Sequence, residues 1–260
     1  MRIFEFDSAL VRTPAPTVTG GLRANGGPAP SYAAVLAEHS AYAAALEDAG
    51  VAVETLPALD AYPDSLFVED PAFVVPEGAI LLRPGAASRI DETAELAPAL
   101  RRRFARVVEL DRGFVDGGDI LVLPDEILVG LSMRTDRAGA ERFVELVAQL
   151  GRRARIVASP PGVLHLKTAC ALLDEETLVA TAALPAAELF DGLHVLTVPA
   201  GEEKAANLLR INDVVLVASG YPRTLEMLAG RGCAVVPLDV DEIGKVDAGL
   251  SCMSLRWRAF

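Results

Sequence analysis

A repeated hairpin pattern constrains the fold of this chain more than any other feature of its sequence. In each repeat a short apolar run, a polar turn and a second apolar run follow one another, as in a β-hairpin. The four pairs of runs are 72–75 with 79–82, 120–123 with 127–129, 171–173 with 178–180, and 208–211 with 214–218. Measured at Glu77, Asp125, Glu175 and Asp213, the turns are 48, 50 and 38 residues apart. Since a hairpin alone needs fewer residues, each repeat has room for a helix.

Amphipathic helical patterns fall in the first two of these gaps, before the first turn and after the last. They cover residues 31–50, 91–105, 136–150 and 225–229, and the first opens on a serine cap and ends on glycine. The repeating unit is therefore strand, strand, helix, strand. Five units of about 52 residues fill the chain of 260, so a fifth unit would join the N-terminal MRIFEF segment to the C-terminal CMSLRWRAF segment. The pattern predicts an α/β ring, one domain over residues 1–260, with the chain ends together.

Residues 14–30 depart from the repeat because they are rich in proline and glycine. We expect no regular element there, and the length of the segment is typical of a lid loop. The run Arg101-Arg102-Arg103 is the second departure. In an otherwise acidic helix, such a run indicates a solvated face.

Charge and cysteine counts exclude several classes of protein. The 24 Lys and Arg residues against 36 Asp and Glu give a net charge of −12, which repels nucleic acid and attracts small cations. No apolar run approaches the roughly 18 residues that cross a bilayer, so we expect no membrane association. Three cysteines, an odd number, and acids at Glu5 and Asp7, where a signal peptide would be apolar, favour a cytoplasmic location.

Polar residues collect where each repeat begins its first strand. They are Glu69 and Asp70, Asp116 and Asp119, His165, Asn207, and Cys252. If the repeats close into a ring, equivalent positions meet near one end of its axis. The sequence then predicts a single central site built from distant segments.

The three cysteines differ in their surroundings. Cys170 and Cys233 lie in apolar runs and are predicted to be buried hydrophobic residues. Cys252 follows Gly249-Leu250-Ser251 at a loop-to-strand junction, where a thiol can meet a ligand. The residues alone leave a nucleophilic and a structural role open for Cys252.

Among the histidines, His165 is the best candidate for chemistry. It stands alone among apolar residues at a repeat junction, a setting that also suits a hydrogen-bonded core histidine, whereas His39 and His194 fit a helix and a surface strand. A cysteine and histidine pair needs a carboxylate to hold the imidazole, and Asp116 can supply one from Asp116-Gly117-Gly118-Asp119. That run alone also describes a simple turn.

Three further acids, Asp64, Glu69 and Asp70, lie among apolar residues. Buried carboxylates are costly unless they meet a cation, and a planar guanidinium suits several of them at once. They therefore imply a small cationic guanidino ligand. No cluster has metal-ligand spacing and no glycine-rich loop has the phosphate-binding pattern, so we predict neither a metal nor a cofactor.

An ordered set of motifs, running from about residue 10 to the end, resembles a known family. The motifs are Pro63-Asp64-Ser65, Phe67-Val68-Glu69-Asp70-Pro71, Arg83-Pro84-Gly85-Ala86, Asp116-Gly117-Gly118-Asp119, Leu164-His165-Leu166-Lys167-Thr168, Gly220-Tyr221-Pro222-Arg223-Thr224 and Ser251-Cys252-Met253-Ser254-Leu255. Together they resemble the dimethylarginine dimethylaminohydrolases of the guanidino-modifying, or pentein, superfamily. The resemblance implies a five-bladed α/β propeller of ββαβ repeats around a central active site, in agreement with the repeat count.

The same resemblance implies covalent hydrolysis of N-omega-methylated arginine to citrulline and dimethylamine or methylamine. Cys252 would attack the guanidinium carbon, and His165 would protonate the leaving amine and then activate water. Asp116 would orient His165, although some similar enzymes have the longer Glu at this position.

Substrate-binding roles follow from the resemblance as well. Asp64, Glu69 and Asp70 would hold the guanidinium, Arg89 and Arg134 the α-carboxylate, Asp247 the α-amino group, and Leu22 would be the lid residue. A homodimer is one possible assembly.

Three alternatives stay open at this point. An arginine or agmatine deiminase would use the same triad, although arginine deiminases resemble longer chains and agmatine needs no carboxylate-binding arginines. A non-catalytic pentein that binds a macromolecule is disfavoured by the joint presence of Cys252, His165 and Asp116. The third alternative is a plain α/β protein whose motifs are accidental, which the ordered set disfavours.

Overall fold

The computed structural model describes residues 3–24, 26–160, 162–185, 189–190 and 192–259. Within these ranges the strands are β1 (Ser8–Arg12), β2 (Ala52–Leu56), β3 (Ala72–Val75), β4 (Gly78–Leu81), β5 (Val107–Glu109), β6 (Ile120–Val122), β7 (Ile127–Leu131), β8 (Ala154–Ala158), β9 (Cys170–Leu172), β10 (Thr177–Ala180), β11 (His194–Thr197), β12 (Leu209–Ile211), β13 (Val214–Ala218), β14 (Ala234–Leu238) and β15 (Leu255–Trp257). The α-helices are α1 (Tyr32–Asp48), α2 (Glu92–Arg103), α3 (Arg137–Gln149), α4 (Leu166–Ala169) and α5 (Pro222–Ala229).

The strands form five sheets of three, with the orders β15-β1-β2, β3-β4-β5, β6-β7-β8, β9-β10-β11 and β12-β13-β14. In every sheet the first two strands are antiparallel and the third is parallel to the second. A parallel neighbour requires a crossover connection, which α1, α2, α3 and α5 supply in four sheets. The connection from β10 to β11 lies partly outside the described residues. The predicted α/β propeller of five ββαβ repeats is therefore confirmed.

The two chain ends meet in one sheet, as the closure of the ring requires. β15 pairs with β1 in antiparallel register, so that Leu255 faces Leu10. The predicted N-terminal strand was placed wrongly, because β1 begins at Ser8, after the MRIFEF segment. Within that segment, Phe6 N donates to the side chain of Asn212 at 2.8 Å and Phe4 O accepts from Asn212 N at 2.9 Å. These bonds tie the segment to the β12–β13 turn instead of to a sheet.

Segment 14–30 also departs from expectation, since it contains a regular element. A 3-10 helix spans Pro16–Gly20; it starts at a proline, and its own residue Val18 is buried. Proline is tolerated in the first turn of a helix because that position needs no amide donor. The Arg101–Arg103 run is exposed and forms ion pairs with Glu54 and Glu109, as the solvated-face interpretation predicts.

Apolar side chains of the described residues form five clusters, one between each pair of neighbouring sheets. Alternate residues of a strand point to opposite faces, so Leu10 joins one cluster while Ala9 and Val11 join the next. The rings of Phe73 and Phe143 meet edge to face at a centroid distance of 5.4 Å. Each such buried side chain contributes about 1.5–3 kcal/mol, so the ring is held together at its junctions. No described helix is long and apolar enough to cross a bilayer.

Candidate active site

The predicted catalytic residues lie where the sheets begin their first strands, and a ring of hydrogen bonds joins these segments. At least one bond crosses each of the five junctions between neighbouring sheets. They join Glu69 N to Cys252 O (3.2 Å), Gly117 N to Asp70 O (3.1 Å), Leu166 N to Asp119 Oδ1 (2.8 Å), Asn207 Nδ2 to Lys167 O (2.9 Å), and Ser251 N to Asn207 Oδ1 (3.2 Å). The convergence expected from the repeat pattern is confirmed, because residues from all five sheets are bonded around one centre.

Two glycines allow this close approach. Asp116 leads into a 3-10 turn over Gly117–Asp119. A Cβ atom on Gly117 would lie 1.9 Å from Glu69 O, and one on Gly118 would lie 2.5 Å from His165 Nδ1. Both separations are far shorter than van der Waals contact, so glycine is required at each position. The segment Asp116–Asp119, which the sequence alone could also describe as a simple turn, therefore allows the backbone to pack closely against His165.

Asp116 and His165 form a buried pair. His165 Nε2 lies 2.9 Å from Asp116 Oδ2, and both side chains are buried. The other carboxylate oxygen of Asp116 accepts from Gly85 N at 2.7 Å, and Asp116 N donates to Thr135 Oγ1 at 3.1 Å. Gly85 and His165 thus hold one carboxylate oxygen each, while Thr135 holds the backbone of Asp116. An aspartate is thus long enough to reach the ring at this position.

The surroundings of His165 favour its protonated form. Burial alone would lower the pKa of His165, but Asp70, the hydrogen bond to Asp116 and the charge of Asp119 raise it to about 9. At neutral pH the ring is therefore an imidazolium ion. Because Nε2 is bonded to Asp116, Nδ1 is the nitrogen left to exchange a proton with a ligand.

Cys252 lies in a 3-10 turn over Leu250–Met253 and is partly buried. Its backbone carbonyl accepts from Glu69 N, and Asn207 holds the preceding Ser251 through both its backbone and its hydroxyl. Burial and the charges of Glu69 and Asp70 raise the pKa of Cys252 to about 12. The resting form is therefore the neutral thiol. Cys170 is buried as predicted, while Cys233 is only partly buried.

Glu69 is fixed on one oxygen and open on the other. Its Oε1 atom lies 2.6 Å from Lys167 Nζ and 3.1 Å from Arg256 Nη2. Its Oε2 atom is buried and has no hydrogen-bond partner among the described residues. An unsatisfied buried carboxylate oxygen is costly, so this atom is suited to a donor from a ligand.

Arg89 is bound by several groups of the protein. Its guanidinium bonds to Asp70, to both oxygens of Glu92, and to the backbone carbonyls of Asp64 (3.2 Å) and Phe67 (2.9 Å). Burial would lower its pKa, but Asp70 and Glu92 raise it well above the ordinary value. The same ion pair, against the effect of burial, holds the pKa of Asp70 below its ordinary range. Arg89 thus holds buried acids, and its predicted contact with a substrate carboxylate stays a prediction.

Arg134 is different, because its guanidinium is partly exposed. Its nearest described ion-pair partner is Asp116 Oδ2, 3.9 Å from Nη1. Its backbone amide donates to Ser132 Oγ at 3.0 Å, which fixes the turn that carries the side chain. Arg134 is therefore available for an anionic group in a way that Arg89 is not.

Asp64, Leu22 and Asp247 connect the site to segment 14–30. Asp64 Oδ1 accepts from Leu22 N at 3.0 Å, and burial raises the pKa of Asp64. Asp247 is exposed, lies in the left-handed backbone region with φ 57°, and accepts from Ala24 N. The predicted binding of an α-amino group by Asp247 stays a prediction, since in this structure its carboxylate is bonded to the loop.

Three atoms of the kind that can bind a metal ion lie within 4.8 Å of one another. They are a carboxylate oxygen of Asp70, a carboxylate oxygen of Asp116 and a ring nitrogen of His165. These acids already accept hydrogen bonds from protein donors, namely Gly118 N and Arg89 on Asp70, and Gly85 N on Asp116. The arrangement is accordingly that of a charge-balanced acid–base centre.

Lys167, Arg256 and Glu92 were missed as parts of the site by sequence reasoning. Lys167 lies two residues after His165 and Arg256 four after Cys252, so proximity to the candidates was the only available signal. Asn207 was recognised as a junction residue, but its bonds to Lys167 and Ser251 depend on how sheets meet and have no signature in sequence.

Known proteins are similar to this chain in sequence and in fold. The family model for arginine deiminase matches residues 57–197. N(G),N(G)-dimethylarginine dimethylaminohydrolase from Pseudomonas aeruginosa is 36% identical over 254 residues, which cover 97% of this chain and 100% of that protein.

Two solved structures are also similar. A cysteine-to-serine mutant of the Pseudomonas aeruginosa enzyme, complexed with citrulline, superposes with a TM-score of 0.94 and 36% identity over 97% of this chain and 100% of that chain. A dimethylarginine dimethylaminohydrolase with a histidine-to-glycine change, an adduct with S-methyl-L-thiocitrulline, gives a TM-score of 0.93 and 36% identity over 96% and 99%.

The pentein class is defined by a ring of five ββαβ repeats with cysteine, histidine and carboxylates at its centre. The arginine deiminase family model belongs to the same class. Identity of 36% over nearly the whole of both chains narrows the class further. The chain belongs to the dimethylarginine dimethylaminohydrolase family.

Proposed function

We propose that this protein hydrolyses N-omega-methylated arginine to citrulline and dimethylamine or methylamine. The observation that carries the proposal is the Asp116–His165 pair, 2.9 Å apart, whose chain neighbours Gly117 and Leu166 belong to the same ring of hydrogen bonds as Cys252. Substitution at a guanidinium carbon requires a nucleophile, an acid that protonates the leaving amine and acids that bind the cation. The site offers a cysteine, a protonated histidine and buried carboxylates for these roles. The relatives described above, one of them complexed with citrulline, support the same reaction.

Electrostatics explain how the nucleophile would form. The pKa of Cys252 is raised by burial and by Glu69 and Asp70. A bound guanidinium would place a positive charge beside these acids and donate to Glu69 Oε2, which lacks a described partner. That charge favours the thiolate, so the thiol proton leaves to solvent when the substrate enters. The substrate itself thereby activates the cysteine.

The chemistry then proceeds in two displacements. The Cys252 thiolate attacks the guanidinium carbon, and the bond from that carbon to the methylated nitrogen breaks as His165 gives that nitrogen its Nδ1 proton. The product is a thiouronium on Cys252 and a free amine. Water then attacks the same carbon and loses a proton to His165. The C–S bond breaks and the remaining hydroxyl proton passes to solvent, where it balances protonation of the free amine. Citrulline leaves, and the Cys252 thiolate and the His165 imidazolium are regenerated.

Segment 14–30 is proposed to act as a lid over this centre, with the whole chain forming one domain. Leu22 is held to Asp64 by its backbone amide at 3.0 Å, and Ala24 is held to Asp247. We propose Arg134 as the group that binds the substrate α-carboxylate, with Arg89 contributing if a ligand reaches it. A cytoplasmic location and a homodimer stay predictions.

A substrate panel tests this function. Asymmetric dimethylarginine, monomethylarginine, arginine and agmatine are supplied separately, and both the released amine and the ureido product are measured. We expect kcat/KM to be highest for a methylated arginine, with equal amounts of amine and citrulline. Preference for arginine with ammonia release would instead make the protein an arginine deiminase, the activity suggested by the family model over residues 57–197. Preference for agmatine would remove the α-carboxylate role.

A further inference from the structure

Asp119 is a buried carboxylate that receives bonds from three segments of the chain. It ends the 3-10 turn over Gly117–Asp119 and is fully buried. Its Oδ2 atom accepts from Ser132 Oγ at 2.6 Å and from Thr135 Oγ1 at 2.7 Å. Its Oδ1 atom accepts from Leu166 N at 2.8 Å and, at the longer distance of 3.5 Å, from Ser159 Oγ. None of these contacts belongs to the proposed reaction, so the carboxylate has another reason to be buried here.

One bond leads to Asp116. The Thr135 hydroxyl has a single proton, and donating it to Asp119 aims an oxygen lone pair elsewhere. That oxygen accepts from Asp116 N at 3.1 Å. Asp119 therefore fixes the backbone of the residue whose carboxylate holds His165.

A second bond leads to His165 itself. Leu166 follows His165 directly and is the first residue of α4, so its amide has no partner within the helix. Asp119 accepts that amide and thereby fixes the backbone at the point from which the His165 ring projects. Burial lowers the pKa of His165, and the Asp119 charge raises it, after Asp70 and the hydrogen bond to Asp116.

A third bond leads to Arg134. The Ser132 hydroxyl donates to Asp119 and accepts from Arg134 N at 3.0 Å and Thr135 N at 3.2 Å. The turn that carries Arg134 is thus bonded to the same carboxylate as the turn that carries His165.

We propose that Asp119 is a positioning residue for the general-acid step, because it sets the placement of the His165 ring against Asp116 from two sides. The proposal rests on the proposed function, since it assigns His165 the protonation of the leaving amine. Loss of the Asp119 carboxylate disturbs proton transfer from His165 more than it disturbs attack by Cys252, which is held by Asn207 and Glu69 instead.

The test compares leaving groups that differ in their need for a proton. Dimethylamine leaves only when protonated, whereas the methanethiolate of S-methyl-L-thiocitrulline leaves without a proton. First-turnover release of each is measured in the wild type, Asp119→Asn and Thr135→Val. Glu202→Gln is the matched control, because Glu202 is also a buried carboxylate that accepts from a backbone amide and a hydroxyl, both of Thr224, and Thr224 bonds to none of the site residues described above.

We expect Asp119→Asn to slow dimethylamine release ~100-fold and methanethiol release less than ~5-fold, since general acid catalysis is worth about 10²–10⁴-fold. Thr135→Val should show a smaller bias in the same direction and carries the test if Asp119→Asn does not fold. Glu202→Gln should show no bias. Equal slowing of both leaving groups, or no slowing of either, would overturn the proposal.

A substrate-free measurement separates this proposal from the proposed function. The His165 ring is titrated by NMR in the wild type and in both variants. We expect Asp119→Asn to lower the pKa of His165, because a negative charge beside the imidazolium is removed. If the wild type releases no amine from methylated arginine, the proposed function fails, yet the titration still decides the role of Asp119. An unchanged His165 titration in both variants contradicts that role.

Discussion

The α-carbon of Gly118 lies so close to His165 that a Cβ atom added to it would stand 2.5 Å from the ring nitrogen Nδ1. His165 Nε2 is bonded to Asp116 at 2.9 Å, so Nδ1 is the nitrogen that faces proton exchange. The glycine thus leaves open the approach to the atom on which the proposed chemistry depends. It also donates its amide to Asp70 Oδ1 at 3.1 Å, which places a second carboxylate beside the ring.

Replacing Gly118 by alanine should therefore disable the enzyme without unfolding it. Because the new methyl group displaces the ring or covers Nδ1, we expect kcat for methylated arginine to fall about 100-fold, the scale of a lost general acid. Gly244→Ala is the control, since nothing lies within 4 Å of a Cβ atom there. Steady-state kinetics and the melting temperature check both variants. Full activity of Gly118→Ala would show that Nδ1 is not the reacting nitrogen.

The stability of the protein should depend on pH through His165. The folded protein raises the pKa of this histidine to about 9, from an ordinary value of 6.5. A group with a raised folded pKa stabilises the fold fully below the unfolded pKa, and this stabilisation is lost as the pH rises through the folded pKa. We expect the free energy of unfolding to fall between about pH 6.5 and 9. Denaturant titrations across this window measure the fall, and His165→Gln should reduce it; an equal fall in that variant would assign it to other groups.

The acidity of Cys252 should respond to Glu69. The Glu69 charge raises the pKa of the thiol, after burial, and Lys167 opposes it. Glu69→Gln removes the negative charge and leaves Lys167 unpaired, so the pKa of Cys252 should fall. The measurement is the pH dependence of alkylation by iodoacetamide, which follows the thiolate. Glu141→Gln, a substitution of an exposed residue on α3, is the control and should leave the pH dependence of alkylation unchanged. An unchanged pH dependence in Glu69→Gln would show that Glu69 does not set the pKa of Cys252.

Arg134 and Arg89 should differ in what their loss affects. Arg134 is partly exposed, so Arg134→Ala should raise KM for methylated arginine much more than any KM for agmatine, which lacks the carboxylate. Arg89 neutralises Asp70 and Glu92 in the interior, so Arg89→Ala should reduce the free energy of unfolding by about 3–5 kcal/mol. Kinetics with both substrates and denaturant titrations separate the two effects. Equal effects of Arg134→Ala on both substrates would remove its carboxylate role.

The repeat architecture was accessible from sequence for a physical reason. In four of the five sheets the first and second strands are short apolar runs joined by a polar turn, so their limits were predicted to within two residues. The closing sheet was harder, because β1 begins at Ser8 and its partner β15 lies at the other end of the chain. Predicting it required counting repeats, and the exact N-terminal segment was still wrong.

The candidate site was accessible only in part. Cys252, His165 and Asp116 carry chemical types and positions that single them out. The roles of Asp119 and Asn207 depend on bonds between neighbouring sheets, which no local pattern encodes. The buried ion pair between Arg89 and Glu92 could not be predicted either, because an exposed arginine three residues before a glutamate has the same sequence pattern.

The central claim is that Cys252 forms a covalent intermediate at the guanidinium carbon. The most direct measurement is the intact mass of the enzyme quenched during turnover, followed by peptide mapping. Dimethylarginine and monomethylarginine should give the same adduct on Cys252. Its added mass should equal the mass of the substrate minus the mass of the amine that the substrate releases. Cys233→Ser should keep the adduct, and Cys252→Ser should lose both the adduct and turnover while retaining the fold. Citrulline formation by Cys252→Ser at a rate near that of the wild type would contradict the account.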